Sequence, residues 1–201
     1  MRFIRFQTVI QILFFACVLT QPSWAGEIKG KVVAAGMRSP ENIAVYIDSI
    51  PGKTFPASKP VTMDQKNLKF VPHVLVVLKG TTVNFLNSDR VGHNVFWPSI
   101  SGDKKLAHNL GTWPQGQVKS FTFENPGVAP LLCNVHPEMS GYVIIVTTPY
   151  FAVTDKDGSY EIEDVPVGQY TLKTWSEEGK PATEAVKVSD GVTTADLTVR
   201  R

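Results

Sequence analysis

The sequence contains few cysteines and carries little net charge, and these two shortages exclude several classes of protein. Only Cys17 and Cys133 occur among 201 residues. Small secreted proteins held together by disulfide frameworks carry about four or more cysteines, so stability here must come from a packed core. Lysine and arginine total 20 against 18 aspartates and glutamates. This balance lacks the basic excess of nucleic-acid-binding proteins, so we expect no nucleic acid as a partner.

The sequence has no long apolar run after residue 25, but it has a short apolar run near its N-terminus. Arg2 and Arg5 precede a largely apolar stretch at residues 9–19, and the small residues of a signal-peptidase site end at Ala25. The stretch is shorter than the roughly 20 residues that span a bilayer. We predict that residues 1–25 are a cleaved export signal, with a retained anchor as the alternative. The mature protein is then expected to be periplasmic or secreted, without a membrane span.

Cleavage would leave Cys133 as the single thiol of an exported chain. Because Arg2, Arg5 and Cys17 would be removed, the numbers of acidic and basic residues would become equal. A free cysteine is often a buried and inert core residue. The neighbours of Cys133 therefore decide whether it has a chemical role.

Short segments rich in Val, Ile, Thr, Phe and Tyr run through the rest of the chain, separated by Gly, Pro, Asn or Asp. Such segments are typical of β-strands. Strands are predicted at residues 28–33, 43–47, 74–78, 82–86, 119–123, 142–147, 159–162, 170–175 and 185–188. No segment shows a sustained helical period with caps at both ends. We therefore predict an all-β fold built of sandwiches.

Soft and nitrogen-containing metal ligands cluster in one segment. Cys133, His136 and Met139 follow one another at three-residue steps, and Pro137 forbids a regular helix interior there. His93 is predicted in a second loop about forty residues earlier. A thiolate, two imidazoles and a weak thioether suit copper that cycles between two oxidation states. The four side chains together predict a copper site.

Other roles explain these residues less completely. A nucleophilic Cys–His pair usually needs a third orienting group and an oxyanion site. Zinc prefers four firm ligands, and a thioether is a poor fourth one. Taken alone, His93 is more often a hydrogen-bonded loop histidine, and Met139 is more often core filler.

The pattern Cys-x-x-His-x-x-Met-x-Gly, with an upstream His-Asn-Val, resembles the copper loops of the cupredoxins, or blue-copper proteins. Within that plastocyanin-like family, the compact loop is most similar to that of the amicyanins. The resemblance extends over about residues 61–147 and implies a Greek-key β-sandwich at residues 57–148. Residues 130–132 depart from the pattern, since many cupredoxins have aromatic side chains before the cysteine.

The resemblance also implies a role for each residue. It makes His93, Cys133 and His136 the equatorial ligands of one type 1 copper ion and Met139 the distant axial ligand. Asn94 is expected to contact both loops from outside the ligand set and so to orient the ligands.

The flanks resemble a second family, the carboxypeptidase regulatory-like, transthyretin-type β-sandwich. The resemblance rests on residues 154–172, where Asp157-Gly158 predicts a hairpin turn, and on segments 26–32 and 42–47. We predict that residues 26–56 and 149–201 form this second sandwich, with the cupredoxin inserted at an exposed turn. The alternative is a cupredoxin with a plain C-terminal appendage.

Together the resemblances imply an electron carrier that serves a redox partner such as a c-type cytochrome or a periplasmic dehydrogenase. A copper-delivery protein and a structural module with incidental metal are the alternatives. No enzymatic activity is expected, because a multicopper oxidase or nitrite reductase would need further histidines, including some that flank the cysteine. We expect His73 and His108 to be solvated loop histidines. The apolar segment 96–98 is expected to be either a docking patch or ordinary packing.

Overall fold

The regular secondary structure of the described residues is almost entirely β-strand, as the sequence predicts. A computed structural model describes residues 25–201. Its strands are β1 (Ala25–Ala35), β2 (Ala44–Ile47), β3 (Val61–Gln65), β4 (Phe70–Val71), β5 (Val74–Leu78), β6 (Thr81–Asn87), β7 (His93–Trp97), β8 (His108–Trp113), β9 (Val118–Phe123), β10 (Gly127–Leu132), β11 (Ser140–Val146), β12 (Phe151–Val153), β13 (Ser159–Pro166), β14 (Gly168–Trp175), β15 (Thr183–Val188), β16 (Gly191–Thr194) and β17 (Leu197–Arg200). A short 3-10 turn occupies Lys104–Leu106. All nine predicted strands overlap strands of the structure.

The predicted export signal at residues 1–25 lies outside the described residues except for Ala25, which begins β1. Among residues 25–201, no helix is long and apolar enough to cross a membrane.

Two sheets formed within residues 61–146 enclose the first core. Sheet I has the strand order β4-β3-β6-β9, and sheet II has the order β5-β11-β10-β7-β8. Large side chains from both sheets fill the space between them, among them Phe85 and Phe123 from sheet I and Trp97 and Trp113 from sheet II. This core packs beneath the segments that carry the predicted copper ligands.

Two further sheets formed by the flanking segments enclose a second core. Sheet III has the order β12-β2-β14-β15. In sheet IV, β1 pairs with β13 on one side and, on the other, first with β16 and then with β17. Ile28 and Ile162 from sheet IV meet Val45 and Leu172 from sheet III. The strands that precede the first core therefore pair with strands that follow it.

A third apolar layer joins sheet II to sheet III. Successive side chains of a strand point to opposite faces, so Val143 and Ile145 of β11 enter the first core while Ile144 and Val146 face sheet III. There they pack with Ala44 and other side chains of β2, β12 and β14. The four sheets thus form one stack in the order I, II, III, IV. Buried on both faces, β11 has the continuous apolar sequence expected of such a strand.

Polar contacts close one side of the third layer. The Tyr142 ring lies 4.7 Å from the ring of Trp175, and its hydroxyl donates to Glu177 at 3.0 Å. The other oxygen of Glu177 lies 2.9 Å from Nε2 of His73. Burial raises the pKa of the Tyr142 phenol to about 12, and the neighbouring Glu177 carboxylate contributes to this increase. The phenol therefore stays protonated and continues to donate at physiological pH.

Gly30 lies in β1 between the residues that pair with β16 and those that pair with β17. A Cβ atom at Gly30 would lie only 1.8 Å from the carbonyl oxygen of Ala195, which connects those two strands. We expect Gly30→Ala to lower the free energy of unfolding by at least about 1–3 kcal/mol, because the backbone must move to relieve the overlap. Urea unfolding measures the change. Val192→Ala in the exposed part of β16 is the control, and an equal loss in both variants would contradict the explanation.

The predicted turn at Asp157-Gly158 is present, but it is not a hairpin. The amide of Gly158 donates to the carbonyl of Asp155 at 2.9 Å, and Gly158 has a φ of 83°. The strands on either side, β12 and β13, belong to different sheets. The turn is therefore a corner between sheets III and IV, and the hairpin prediction is wrong.

Candidate metal centre

Adjacent strands of sheet II bring His93 and Cys133 together. The predicted loop position of His93 is wrong, because His93 is the first residue of β7, and Cys133 follows the last residue of β10. The two strands are antiparallel neighbours, with Leu132 opposite Phe96. A ring nitrogen of His93, a ring nitrogen of His136 and Sγ of Cys133 lie within 4.8 Å of one another. Three of the four predicted ligands therefore meet in one place.

A tight turn shapes the segment that carries His136 and Met139. The amide of Met139 donates to the carbonyl of His136 at 3.0 Å. This bond closes a four-residue turn in which Pro137 occupies the second position, where its fixed φ is favourable. Met139 is buried in the same core as Cys133, whereas His136 is partly exposed. The three-residue step from histidine to methionine is thus the length of one turn.

The two imidazoles face each other through their Nδ1 atoms, which are 3.0 Å apart. On the far side of the first ring, Nε2 of His93 lies 2.9 Å from a carboxylate oxygen of Asp89. A carboxylate only accepts hydrogen bonds, so Nε2 carries the proton. In the neutral ring, Nδ1 of His93 then presents a lone pair to Nδ1 of His136.

The donor set suits a soft transition metal. Two nitrogens that each bind one ion at about 2.0 Å lie at most about 4 Å apart, and the Nδ1 atoms of His93 and His136 meet this condition. The thiol of Cys133 supplies the soft donor. His93 is fully buried and Cys133 is 3% exposed, so the donors are largely shielded from water. These groups fit a copper ion of the kind that a thiolate and two imidazoles bind.

Asn94 contacts both ligand-bearing segments. The backbone N–H of Asn94 points to Sγ of Cys133 at 3.4 Å. The side-chain oxygen of Asn94 accepts a hydrogen bond from the backbone N–H of Asn134 at 3.3 Å. Its side-chain nitrogen donates to Asn109 at 2.9 Å. Asn94 therefore connects β7, the cysteine loop and β8, and the N–H near the sulfur lies where hydrogen bonding tunes a copper–thiolate centre.

Asp89 is a site residue that the sequence analysis missed. One carboxylate oxygen accepts from the amide of Asn67 at 2.7 Å, and the other accepts from the amide of Leu68 at 2.9 Å as well as from His93. Burial acts to raise the pKa of Asp89, but the hydrogen bonds from Leu68, His93 and Asn67 outweigh it, so the pKa is lowered. The carboxylate is therefore ionised beside the ring of His93.

The turn that Asp89 holds connects β3 to β4. Asn67 and Leu68 both have positive φ angles, of 55° and 57°, as in the two-residue turns that favour hairpins. A left-handed conformation costs a leucine about 1–2 kcal/mol. The hydrogen bonds to Asp89 offset part of this cost and fix the turn against the loop that leads to His93.

The histidines outside the site have other neighbours. His73 pairs with Glu177, and the predicted loop position of His108 is wrong, because it begins β8. Its ring is exposed and lies 5.3 Å from the ring of Trp97. Trp97 itself is fully buried, so the packing alternative for this residue is correct and the docking alternative is wrong.

A second cluster of potential ligands within residues 25–201 consists of Glu27, Glu161 and Glu163. The Lys29 ammonium lies 2.8 Å from Glu27 and 3.3 Å from Glu161. Two of the three carboxylates are therefore paired with Lys29 on the surface of sheet IV.

Comparison with known families agrees with the geometry of the site. Residues 57–146 match the model of copper-binding proteins of the plastocyanin/azurin family. This part of the chain belongs to the cupredoxin family. The cupredoxin segment has a fold of the copper-binding, electron-transfer type. Residues 146–196 match domain II of polysaccharide lyase family 4, so the resemblance of the flanks to the carboxypeptidase regulatory-like family stays a prediction.

Solved structures of amicyanin are similar to the cupredoxin segment. A reduced Cu(I) form of one amicyanin variant at pH 4 is 27% identical over 50% of this chain and 97% of that chain, with a TM-score of 0.40. A methionine-to-glutamine variant of amicyanin in the Cu(I) form is 26% identical over 43% of this chain and 81% of that chain, also with a TM-score of 0.40. A search of curated proteins found no match.

Proposed function

We propose that the protein is a periplasmic or secreted electron carrier that binds one type 1 copper ion through His93, Cys133, His136 and Met139. The observation that carries this proposal is the convergence of two imidazole nitrogens, 3.0 Å apart, with the sulfur of Cys133. Bound copper would accept and release one electron. The burial of Met139 beside Cys133 in the first core supports its assignment as the axial ligand.

Each residue of the site has a separate task in this proposal. His93 and Cys133 are buried and keep water from the ion, and Asn94 holds the two ligand segments in one arrangement for both oxidation states. His136 is the partly exposed ligand, so its ring edge is the route by which an electron leaves. In this proposal the protein acts as a carrier and not as an enzyme.

A redox partner would dock where His136 reaches the surface. The next residue before it, Val135, is 49% exposed, and Val91, near the other ligand segment, is also exposed. A contiguous exposed apolar patch marks a site of contact with another protein, and in this proposal Val135 and Val91 contribute to such a patch around His136. A c-type cytochrome or a periplasmic dehydrogenase is the proposed class of partner.

We further propose that the cupredoxin, at residues 57–148, is inserted into a sandwich made by residues 26–56 and 149–201. The pairing of β1 with β13, β16 and β17, and of β2 with β12 and β14, supports this division. The two connections run side by side, since the hydroxyl of Thr148 donates to the carbonyl of Ile47 at 2.6 Å. Insertions are tolerated where the two ends of the inserted unit are close.

The visible spectrum of the purified protein tests the copper proposal. Adding Cu(II) is expected to produce an intense Cu(II)–thiolate band that saturates at one equivalent and disappears reversibly on reduction. Zn(II) serves as the control, because a d¹⁰ ion gives no such band. Reversible voltammetry with slow loss of copper to a chelator is expected of an electron carrier, whereas rapid loss would favour copper delivery. The absence of the band would contradict the electron-carrier proposal.

A further inference from the structure

The two histidines of the site differ in what lies behind their rings. His93 is fully buried, and its Nε2 is backed by the carboxylate of Asp89 at 2.9 Å. His136 is partly exposed beside Pro137 in a surface turn. A carboxylate behind a metal-binding imidazole fixes which nitrogen carries the proton and makes the other nitrogen a stronger donor.

Asp89 is itself held in place from two sides. The backbone amides of Asn67 and Leu68 each donate to one of its oxygens, at 2.7 and 2.9 Å. On the other side, its own amide donates to the side-chain oxygen of Asn87 at 2.9 Å, and Asn87 also donates to the carbonyl of Val91 at 2.8 Å. The side chain of Asp89 is only 14% exposed. The carboxylate is therefore a fixed negative charge and not a mobile surface group.

We propose that Asp89 is a positioning residue of the copper site, which holds His93 in the tautomer that directs a lone pair at the ion and which favours Cu(II) over Cu(I). The inference rests on the proposed function, because it concerns the same ion. Negative charge behind the ligand stabilises the more highly charged oxidation state. Asp89 thereby lowers the reduction potential of the site.

The variant Asp89→Asn separates this role from a purely structural one. An amide can donate to Nε2 of His93, which lets the ring carry its proton on Nδ1, the nitrogen that faces the site. We expect the affinity for Cu(II) to fall about 10- to 100-fold and the affinity for Cu(I) to fall less. The reduction potential then rises, by about 59 mV for each tenfold change in the ratio of the two affinities. Asp89→Glu restores the negative charge and is expected to recover part of the difference.

Two matched controls exclude general effects. Glu177→Gln removes a carboxylate that lies at the same 2.9 Å from another imidazole, that of His73, outside the site. Leu68→Gly keeps the backbone amide that donates to Asp89 and changes only the turn, since glycine accepts positive φ without strain. Both variants are expected to leave the potential unchanged. A shift in Leu68→Gly as large as that in Asp89→Asn would assign the effect to the turn and overturn the proposal.

The metal-free protein supplies an independent readout. Nitrogen-15 NMR of the histidine rings is expected to place the proton of His93 on Nε2 in the wild type and at least partly on Nδ1 in Asp89→Asn. A wild-type proton on Nδ1, or an unchanged tautomer together with an unchanged potential in the variant, would overturn the proposal. Failure of the wild type to form the Cu(II)–thiolate band would instead overturn the proposed function, while the tautomer measurement would still decide what Asp89 does.

Discussion

Replacing Cys133 by serine is expected to abolish the visible band completely while leaving the fold intact. The band requires a sulfur bound to Cu(II), and a hydroxyl is a much harder and weaker ligand. The fold does not require the sulfur, because serine is similar in size and its oxygen can accept the amide hydrogen of Asn94 that now points to Sγ. Absorption spectra with added Cu(II) and circular dichroism of the metal-free protein measure the two effects.

His108→Ala is the matched control for Cys133→Ser. This variant removes an exposed histidine of the cupredoxin segment. The ring of His108 packs on Trp97 and not on the proposed ligands. The control is expected to keep the full band. An intense band in Cys133→Ser would show that the sulfur is not a ligand and would remove the basis of the electron-carrier proposal.

Ile144→Ala is expected to destabilise all four sheets together, lowering the free energy of unfolding by about 2–5 kcal/mol. Ile144 is 2% exposed and lies in the apolar layer between sheets II and III. Its strand, β11, also supplies Val143 and Ile145 to the core below the proposed copper site. Loss of packing at Ile144 therefore affects both halves of the stack.

Unfolding in urea, followed by circular dichroism and by tryptophan fluorescence, measures this effect. Trp97 and Trp113 report on the first core and Trp175 reports on the third layer. We expect one common transition for both probes, shifted in Ile144→Ala. Val118→Ala, at a position that is 50% exposed in sheet I, is expected to change stability by less than about 0.5 kcal/mol. Two separate transitions, with only one of them shifted, would contradict the coupling.

The strands that the sequence predicts have a clear apolar pattern, and two of the strands it misses, β8 and β10, have a physical reason for lacking one. In β8, only Trp113 is buried, so the segment His108–Trp113 has no apolar alternation. β10 contains Pro130, which argues against an interior strand. β10 nevertheless tolerates the proline because its pairing with β7 is limited to Leu132 and Phe96.

The spacing of Cys133, His136 and Met139 predicts one compact loop, because three-residue steps are a local feature. His93 is added to this loop by its residue type and by the resemblance to cupredoxins, since its contact with Cys133 spans forty residues. The position of Asp89 could not be predicted in the same way. Its role depends on the turn at Asn67-Leu68, which is more than twenty residues away in sequence and adjacent only after sheet I has formed. The only sequence signal for a contact between Asp89 and His93 was that an acidic residue precedes the histidine by four positions.

The two polypeptide connections between the cupredoxin and the flanking strands lie next to each other. Ile47 and Asp48 on the outgoing chain are bridged to the returning chain by the hydroxyls of Thr148 and Thr147. Because these contacts bring the two connections together, a short turn from Asp48 to Thr147 would close sheets III and IV with residues 49–146 removed. If the proposed insertion is correct, another domain whose two ends lie equally close could replace the cupredoxin without disrupting sheets III and IV.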